Sequence, residues 1–299
     1  MNIAAIVVTY NRLNLLQRVI KSLRNQTVKL SSIIVVNNSS TDGTKEWLEL
    51  QKDIIVINQE NVGGSGGFYT GINYAYKHNY DWIWCMDDDV FPFDNCLEEL
   101  LKQDRDNIGI LCPQRIQNDE IFISEVLSFN LSNPFKPIIK KLSKNDIKNN
   151  NSCPIEGMVF EGPLIKKSVV DKIGLPNKDL FILYDDTDYS YRTVLSGLKV
   201  CYIPSAKLLK EYFVLNFTKE EYIKKNKWKI WYNVRNNSFF CRKYGKNCFY
   251  RYLAPWRLLL YQFCSISYNL MLNDKYTFRD FYSLFRAYYR GINFNLGKL

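Results

Sequence analysis

The chain has 299 residues, 46% of them hydrophobic and 15% aromatic, with a formal net charge of +10. That apolar content supports a real core, in one large domain or two unequal ones. A lone histidine, His78, excludes mechanisms that need two, and eight cysteines without a C-x-x-C pair exclude zinc and thioredoxin-like sites.

Ile3–Thr9 reads as a buried first strand, and with no basic region before it this run does not fit a signal peptide. Tyr10-Asn11-Arg12 turns the chain. Leu15, Leu16, Val19, Ile20 and Leu23 then follow at helical spacing. Residues 33–36 make a second strand and lead into the polar turn Asn37–Gly43. A short helix around Thr44–Leu50 and a third strand at Ile54–Ile57 come next. Asn61–Gly67 reads as a loop entering a helix through Tyr74 and Tyr76, and the fourth strand is the apolar run from Trp82 to Met86. Strands alternating with helices predict a parallel sheet with helices on both faces. Its loops at 10–12, 37–42, 61–67 and 87–89 should converge on one edge.

After Pro113 the alternation breaks. Residues 130–152 are rich in Asn, Lys and Ser and read as a surface loop or flexible insertion. Order resumes with a strand, turn and helix over 161–174. Phe181–Arg192 is an acidic cluster opening a helix, and Lys199–Ile203 is another short strand. From about residue 211 the chain turns to long helical segments, and a domain boundary is expected there. Charge follows the same division, with a net of −1 over residues 1–210 and +11 over 211–299. The apolar stretch 253–272 is interrupted by Arg257, Gln262 and Asn269 and does not read as transmembrane.

Asp87-Asp88-Asp89 follow the fourth strand directly. Adjacent carboxylates repel and raise one another's pKa, which a hard divalent cation relieves. The other reading is a polar cap of the next helix. The glycines at 63–67 fit neither a Rossmann fingerprint nor a P-loop. They either make a tight turn or let the backbone approach a sugar or diphosphate. Asp185, Asp186 and Asp188 either supply helix N-terminal charge or serve as a second acidic site, with a general base for an incoming hydroxyl. No G-x-S-x-G elbow is present for serine hydrolase chemistry.

Together these segments resemble family 2 glycosyltransferases of the GT-A fold, over residues 1 to about 210. The resemblance rests on Val8–Arg12, Asn37–Gly43, Asn61–Gly64 and Asp87–Asp89. The loop Gly63–Phe68, the triple Asp and Tyr184–Asp188 look most like bacterial galactofuranosyltransferases, with related rhamnosyltransferases close behind. The resemblance implies an α/β, Rossmann-like, mostly parallel sheet flanked by helices over 1–210, and a smaller helical region over 211–299. It implies an inverting transfer through a transition state of oxocarbenium character. Asp87 and Asp89 would hold Mn²⁺ or Mg²⁺ on the donor diphosphate. Thr9, Tyr10, Asn11, Arg12, Asn38, Asp42, Asn61, Gly63, Gly64 and Asp88 would bind the donor nucleotide. Asp186 would be the base, with Asp185, Asp188 and Gly162 on the acceptor side, where Glu161 and Pro163 also belong. The family often carries a metal-binding His where this chain has Lys210. Lys210 either contacts the diphosphate directly and weakens metal dependence, or points to solvent.

Lys224, Lys225, Lys227, Lys229, Trp228, Trp231 and Tyr232 make a basic, aromatic segment that Arg257, Arg279, Arg286 and Arg290 continue. Such a surface suits anionic lipid headgroups. Core or oligomer contact is the alternative, and no nucleic-acid motif accompanies the charge. The expectation is a cytoplasmic enzyme, peripheral on the inner face of a bacterial membrane. It would move galactofuranose from UDP-galactofuranose to a lipid-linked capsule or O-antigen glycan, possible homo-oligomers included. Its rivals are a rhamnosyltransferase using dTDP-rhamnose and a non-catalytic sugar-nucleotide-binding subunit.

Overall fold

Seven residues without an ionisable side chain, Ile3–Thr9, form β1, buried on both faces at the centre of a sheet. Ile3, Ala5 and Val7 point to one layer, and Ala4, Ile6 and Val8 to the other. The chain then runs through α1 (Leu13–Arg24), β2 (Ser32–Asn37), α2 (Thr44–Glu49), β3 (Ile54–Asn58), α3 (Gly63–Lys77) and β4 (Trp82–Asp87). β1 pairs in parallel with β2 and β4, and β2 with β3, as the alternation predicts. The computed structural model describes residues 1–148, 150–213, 219–272 and 276–299, without the side chains of 219, 220, 222–224 and 272. The Lys224 side chain therefore lies outside the described residues.

Beyond β4 come β5 (Val90–Pro92), α4 (Cys96–Leu101), β6 (Ile108–Gln117), β7 (Glu120–Phe122), β8 (Val126–Phe129), β9 (Ile139–Lys141), α5 (Lys144–Ile147) and β10 (Cys153–Ile155). They are followed by β11 (Leu164–Lys166), α6 (Lys167–Ile173), α7 (Asp185–Leu195) and β12 (Lys199–Lys210). The sheet order is β10-β12-β6-β11-β4-β1-β2-β3. β11 lies antiparallel between β4 and β6, so the sheet is mixed.

Two strands depart from the sequence reading. β6 runs straight through Pro113, after which the alternation was expected to break. β12 continues past Pro204 to Lys210, with an irregularity between Ile203 and Lys207 that absorbs the proline. The 130–152 stretch, expected as a flexible insertion, contains β9 and the capped helix α5.

The chain divides into two compact units. One comprises Met1–Ser128, Lys141–Lys178 and Asp185–Tyr212, and the other Phe129–Lys140, Asp179–Tyr184 and Phe213–Leu299. The second unit therefore takes in two short segments that precede residue 211. Its helices are α8 (Lys219–Tyr244), α9 (Cys248–Leu272) and α10 (Phe278–Ile292), packed around Val234, Leu259, Ile266, Tyr276 and Leu284. No helix among the described residues is long and apolar enough to cross a membrane.

Candidate active site

The first unit gathers the expected loops at the carboxyl ends of β1, β2 and β4. Thr9 pairs with Asn37, and Val8 with Asp87, so each strand delivers its polar end to the same edge. Thr9 Oγ1 donates to Asp88 Oδ2 at 2.7 Å. Arg12 Nη1 donates to Asp88 Oδ1 at 2.9 Å and to Asp89 Oδ2 at 3.2 Å. Asp88 is buried, and burial raises its pKa against the pull of Arg12 and Thr9. Its carboxylate is committed to clamping the β1 loop onto the β4 turn.

Tyr10 is half exposed beside these loops. Asn11 adopts φ 54°, a left-handed conformation that asparagine tolerates. Its Oδ1 accepts the Thr41 N–H at 2.7 Å, and its own N–H donates to Ser40 Oγ at 3.0 Å. Asp42 accepts from the Leu13 N–H at 2.9 Å and from Thr44 Oγ1 at 2.6 Å. Burial works against the ionised form of Asp42, yet these bonds hold its pKa below the ordinary value. A cavity of about 360 Å³ opens beside Asn11, Arg12, Asn14 and Asp42.

The glycine run is not a loop. α3 begins at Gly63, which has φ 79°, and its N–H donates to Asn61 Oδ1 at 3.0 Å. A Cβ at Gly67 would lie 2.5 Å from Val8 Cγ1, and one at Gly71 would overlap Ile6. Those glycines let the helix lie close on β1. Gly64 has nothing within 4 Å of the same position and faces open space. Asn38 is buried, donating to the Gly63 carbonyl at 3.2 Å and accepting from Gln59 at 2.6 Å. It braces the start of α3.

Carboxylate oxygens of Asp87, Asp89 and Glu161 lie within 4.8 Å of one another. Glu161 reaches the cluster because β11 pairs antiparallel with β4 and Gly162, at φ 98°, turns the chain just before it. Gly162 itself is buried, and any Cβ there would overlap Leu208 and Pro113. It shapes the backbone here. Burial, then Asp89, Glu161 and Asp88, push the Asp87 carboxyl well up, with Lys210 opposing. Asp89 Oδ1 is buried without a hydrogen-bond partner. Three carboxylates, one with an oxygen that accepts no hydrogen bond, fit a hard divalent cation.

Lys210 sits in the same cluster. β5 pairs antiparallel with β12, setting Lys210 opposite Val90, and the Glu211 N–H donates to the Asp89 carbonyl at 2.9 Å. Its ammonium lies 2.6 Å from Glu161 Oε1 and 3.5 Å from Asp89 Oδ1. Burial lowers the Lys210 pKa, but Glu161 and Asp89 outweigh it and hold the pKa above its usual value. The solvent-facing reading of Lys210 is thereby excluded. Arg115, fully buried on β6, pairs with both Glu161 and Glu125. Arg115 had no signal in the sequence, because Pro113 hid its strand. Glu161 had one, an acid directly before Gly-Pro, but not its place beside Asp87.

Asp185 and Asp186 open α7. Burial raises Asp185 to about 6, opposed by its own N–H, the Ser65 hydroxyl of α3 and the Asp186 N–H. Burial and then Asp185 raise Asp186 to about 8, with Glu161 adding a smaller push. The Thr187 N–H and hydroxyl donate to Asp186 Oδ1 at 2.6 and 3.1 Å, and Oδ2 accepts no bond from the described residues. Asp188 is different. It is fully buried and bonded at 2.8 Å to Arg192, which also donates to the Ile173 and Leu175 carbonyls. That ion pair ties α7 to the end of α6.

The model of glycosyl transferase family 2 matches residues 4–174. The chain belongs to this family. A galactofuranosyltransferase, GlfT1 of Mycolicibacterium smegmatis, is 27% identical over 206 residues, a match spanning 66% of each chain. The dTDP-rhamnosyl transferase RfbF of Shigella flexneri is 24% identical over 211 residues, 70% of this chain and 68% of RfbF. In fold, the family 2 chain resembles the mannosyltransferase PcManGT of Pyrobaculum calidifontis, solved with GDP-Man and Mn²⁺. The TM-score is 0.56 at 15% identity, covering 97% of this chain and 87% of that one. The expected GT-A architecture is therefore the fold observed.

Proposed function

We propose that this chain is an inverting glycosyltransferase that moves galactofuranose from UDP-galactofuranose onto a lipid-linked bacterial surface glycan. One observation carries the reading. Within a single unit, Asp186, a half-buried carboxylate with an open oxygen, opens α7, and the carboxylates of Asp87, Asp89 and Glu161 gather within 4.8 Å of one another. Asp186 Oδ2 takes the proton of an acceptor hydroxyl. The hydroxyl oxygen bonds to the anomeric carbon from the face opposite the diphosphate. The bond from that carbon to the diphosphate oxygen breaks, and its electron pair leaves with the nucleotide diphosphate. Lys210 and Arg12 are the cations placed to meet the departing charge. A divalent ion held by Asp87, Asp89 and Glu161 would neutralise the same charge. Asn11, Arg12 and Asp42 line the cavity proposed for the donor nucleotide. Tyr10, Asn61 and Gly64 stand at its neighbouring loops, and Asp185 beside the base is proposed to orient acceptor.

The choice of galactofuranose rests on the GlfT1 relative, and RfbF supports a second reading in which dTDP-rhamnose is the donor. A lipid-linked acceptor is supported by the second unit. That unit encloses a cavity of about 510 Å³ bordered by Tyr184, Asn237, Tyr250 and Arg257, with apolar walls. The tyrosine rings in those walls suit contact with a lipid surface. The deciding experiment incubates the purified protein with each donor and a lipid-linked acceptor, and identifies the product by mass spectrometry. Transfer of a hexose from UDP-galactofuranose, lost in Asp186→Asn while calorimetric UDP binding persists, is expected. Transfer from dTDP-rhamnose alone moves the assignment to the second reading. Nucleotide binding without transfer from either donor moves it to a non-catalytic subunit.

A further inference from the structure

We propose that the Lys210 ammonium is a resident cation of the carboxylate cluster that competes with a divalent ion, so that metal binding is coupled to arrival of the donor diphosphate. The inference rests on the cluster being the diphosphate site, as read above. The geometry is specific. Lys210 Nζ stands 2.6 Å from Glu161 and 3.5 Å from Asp89, two of the three residues that could ligate a metal. A hard cation ligated by those oxygens at roughly 2.1 Å would sit almost against the ammonium. Two cations that close repel, so one must move.

The charges show why the metal still has a place. Asp87, Asp88, Asp89, Glu125 and Glu161 face Arg12, Arg115 and Lys210 across this cluster. Five carboxylates against three cations leave an excess of two negative charges when all are ionised. Asp89 Oδ1, in a residue only 8% exposed, has no hydrogen bond to hold it. Arg12 and Arg115 are anchored in bidentate or paired contacts, whereas lysine is a point charge on a flexible stem. Lys210 is thus the cation able to swing away. A diphosphate brings oxygens that receive the ammonium, and that frees Glu161 and Asp89 for the ion. Metal and nucleotide then help each other bind, by the same factor in either order.

The test measures Mn²⁺ binding directly, from loss of the free-ion electron paramagnetic resonance signal, with no turnover involved. Wild type is compared without nucleotide, with UDP and with dTDP, after correction for Mn²⁺ bound to free nucleotide. The expected result is weak binding alone, tightened roughly tenfold or more by whichever nucleotide binds. Lys210→Met and Lys210→Gln should each bind Mn²⁺ roughly tenfold tighter than wild type without nucleotide, with the coupling reduced. Should one variant fold poorly, the other decides. Equal Mn²⁺ affinity with and without a bound nucleotide overturns the proposal, as does no tightening in a folded variant or no Mn²⁺ binding under any condition. Coupling without sugar transfer sustains it while sinking the transferase reading.

Discussion

Asp186 carries the sharpest residue-level expectations. Its pKa is raised to about 8, chiefly by burial. A carboxyl whose pKa is higher folded than unfolded holds its proton more firmly when folded. Stability therefore falls as pH rises from the ordinary carboxylate range to about 8. Asp186→Asn removes that penalty, so the variant should melt above wild type at about pH 8 and level with it near about pH 4. Its rate should fall by about 10²–10⁴-fold, the usual worth of a general base. In wild type, kcat/KM should climb toward about pH 8, and a flat profile would remove Asp186 from the base role. Asp188 makes the opposite case. Asp188→Asn leaves Arg192 without its buried partner and should cost about 3 kcal/mol of stability in denaturant melts. Acceptor KM should hardly change, and a large KM effect in a fully stable variant would restore Asp188 to the acceptor side.

At the scale of elements, the glycines of α3 separate packing from approach. Gly67→Ala would drive a methyl group into Val8 and should cost about 1–3 kcal/mol. Gly64→Ala meets open space, so its melting temperature should match wild type within error, and its nucleotide affinity tests whether a ligand comes close there. The second unit has its own fixed element. Phe181, Leu183 and Tyr184 all have positive φ, a conformation that costs non-glycine residues energy. Fully buried Asn236 donates to the Leu180, Ile182 and Leu183 carbonyls at 3.1, 2.9 and 2.8 Å. Asn236→Ala removes the amide donor to the Ile182 and Leu183 carbonyls, while Leu180 keeps Arg235, and should destabilise the protein by about 3 kcal/mol. These distinctions were half legible in the sequence. Asn, Gly and Asp at strand ends marked the edge where a site should lie. Which of them brace and which face outward depends on burial, and burial is set by neighbours distant in sequence, such as Asn38 under Gly63.

For the whole molecule, charge and aromatic exposure set the prediction. The second unit carries 18 basic and 5 acidic residues. On α10, Phe278, Tyr282 and Tyr289 are 81%, 71% and 66% exposed, and their spacing puts them on one stripe. Aromatic rings beside cations suit the interface of an anionic bilayer. The protein should co-sediment with vesicles containing phosphatidylglycerol and much less with phosphatidylcholine alone. Raising salt should weaken the binding, because the Debye length shrinks from about 10 Å at 0.1 M to about 3 Å at 1 M. Replacing the three α10 rings by serine should lower vesicle binding several-fold while leaving the melting temperature unchanged. Equal binding to both vesicle types would remove the electrostatic part of this reading.

Local chemistry and periodicity were enough, by themselves, to determine the central strands and the edge where their polar loops meet, while the family came from the resemblance of those loops to known members. An apolar run such as Ile3–Thr9 has few alternatives to a buried strand, and polar loops after parallel strands must meet at one edge. The tertiary structure alone decided the composition of the site. Arg115 and Lys210 come to Asp87 and Asp89 from strands far along the chain, and Glu161 from the bend before β11, through pairings that cross two prolines. No spacing in the sequence encodes those pairings. They follow from the register of β5, β6, β11 and β12, which the packed core selects as a whole.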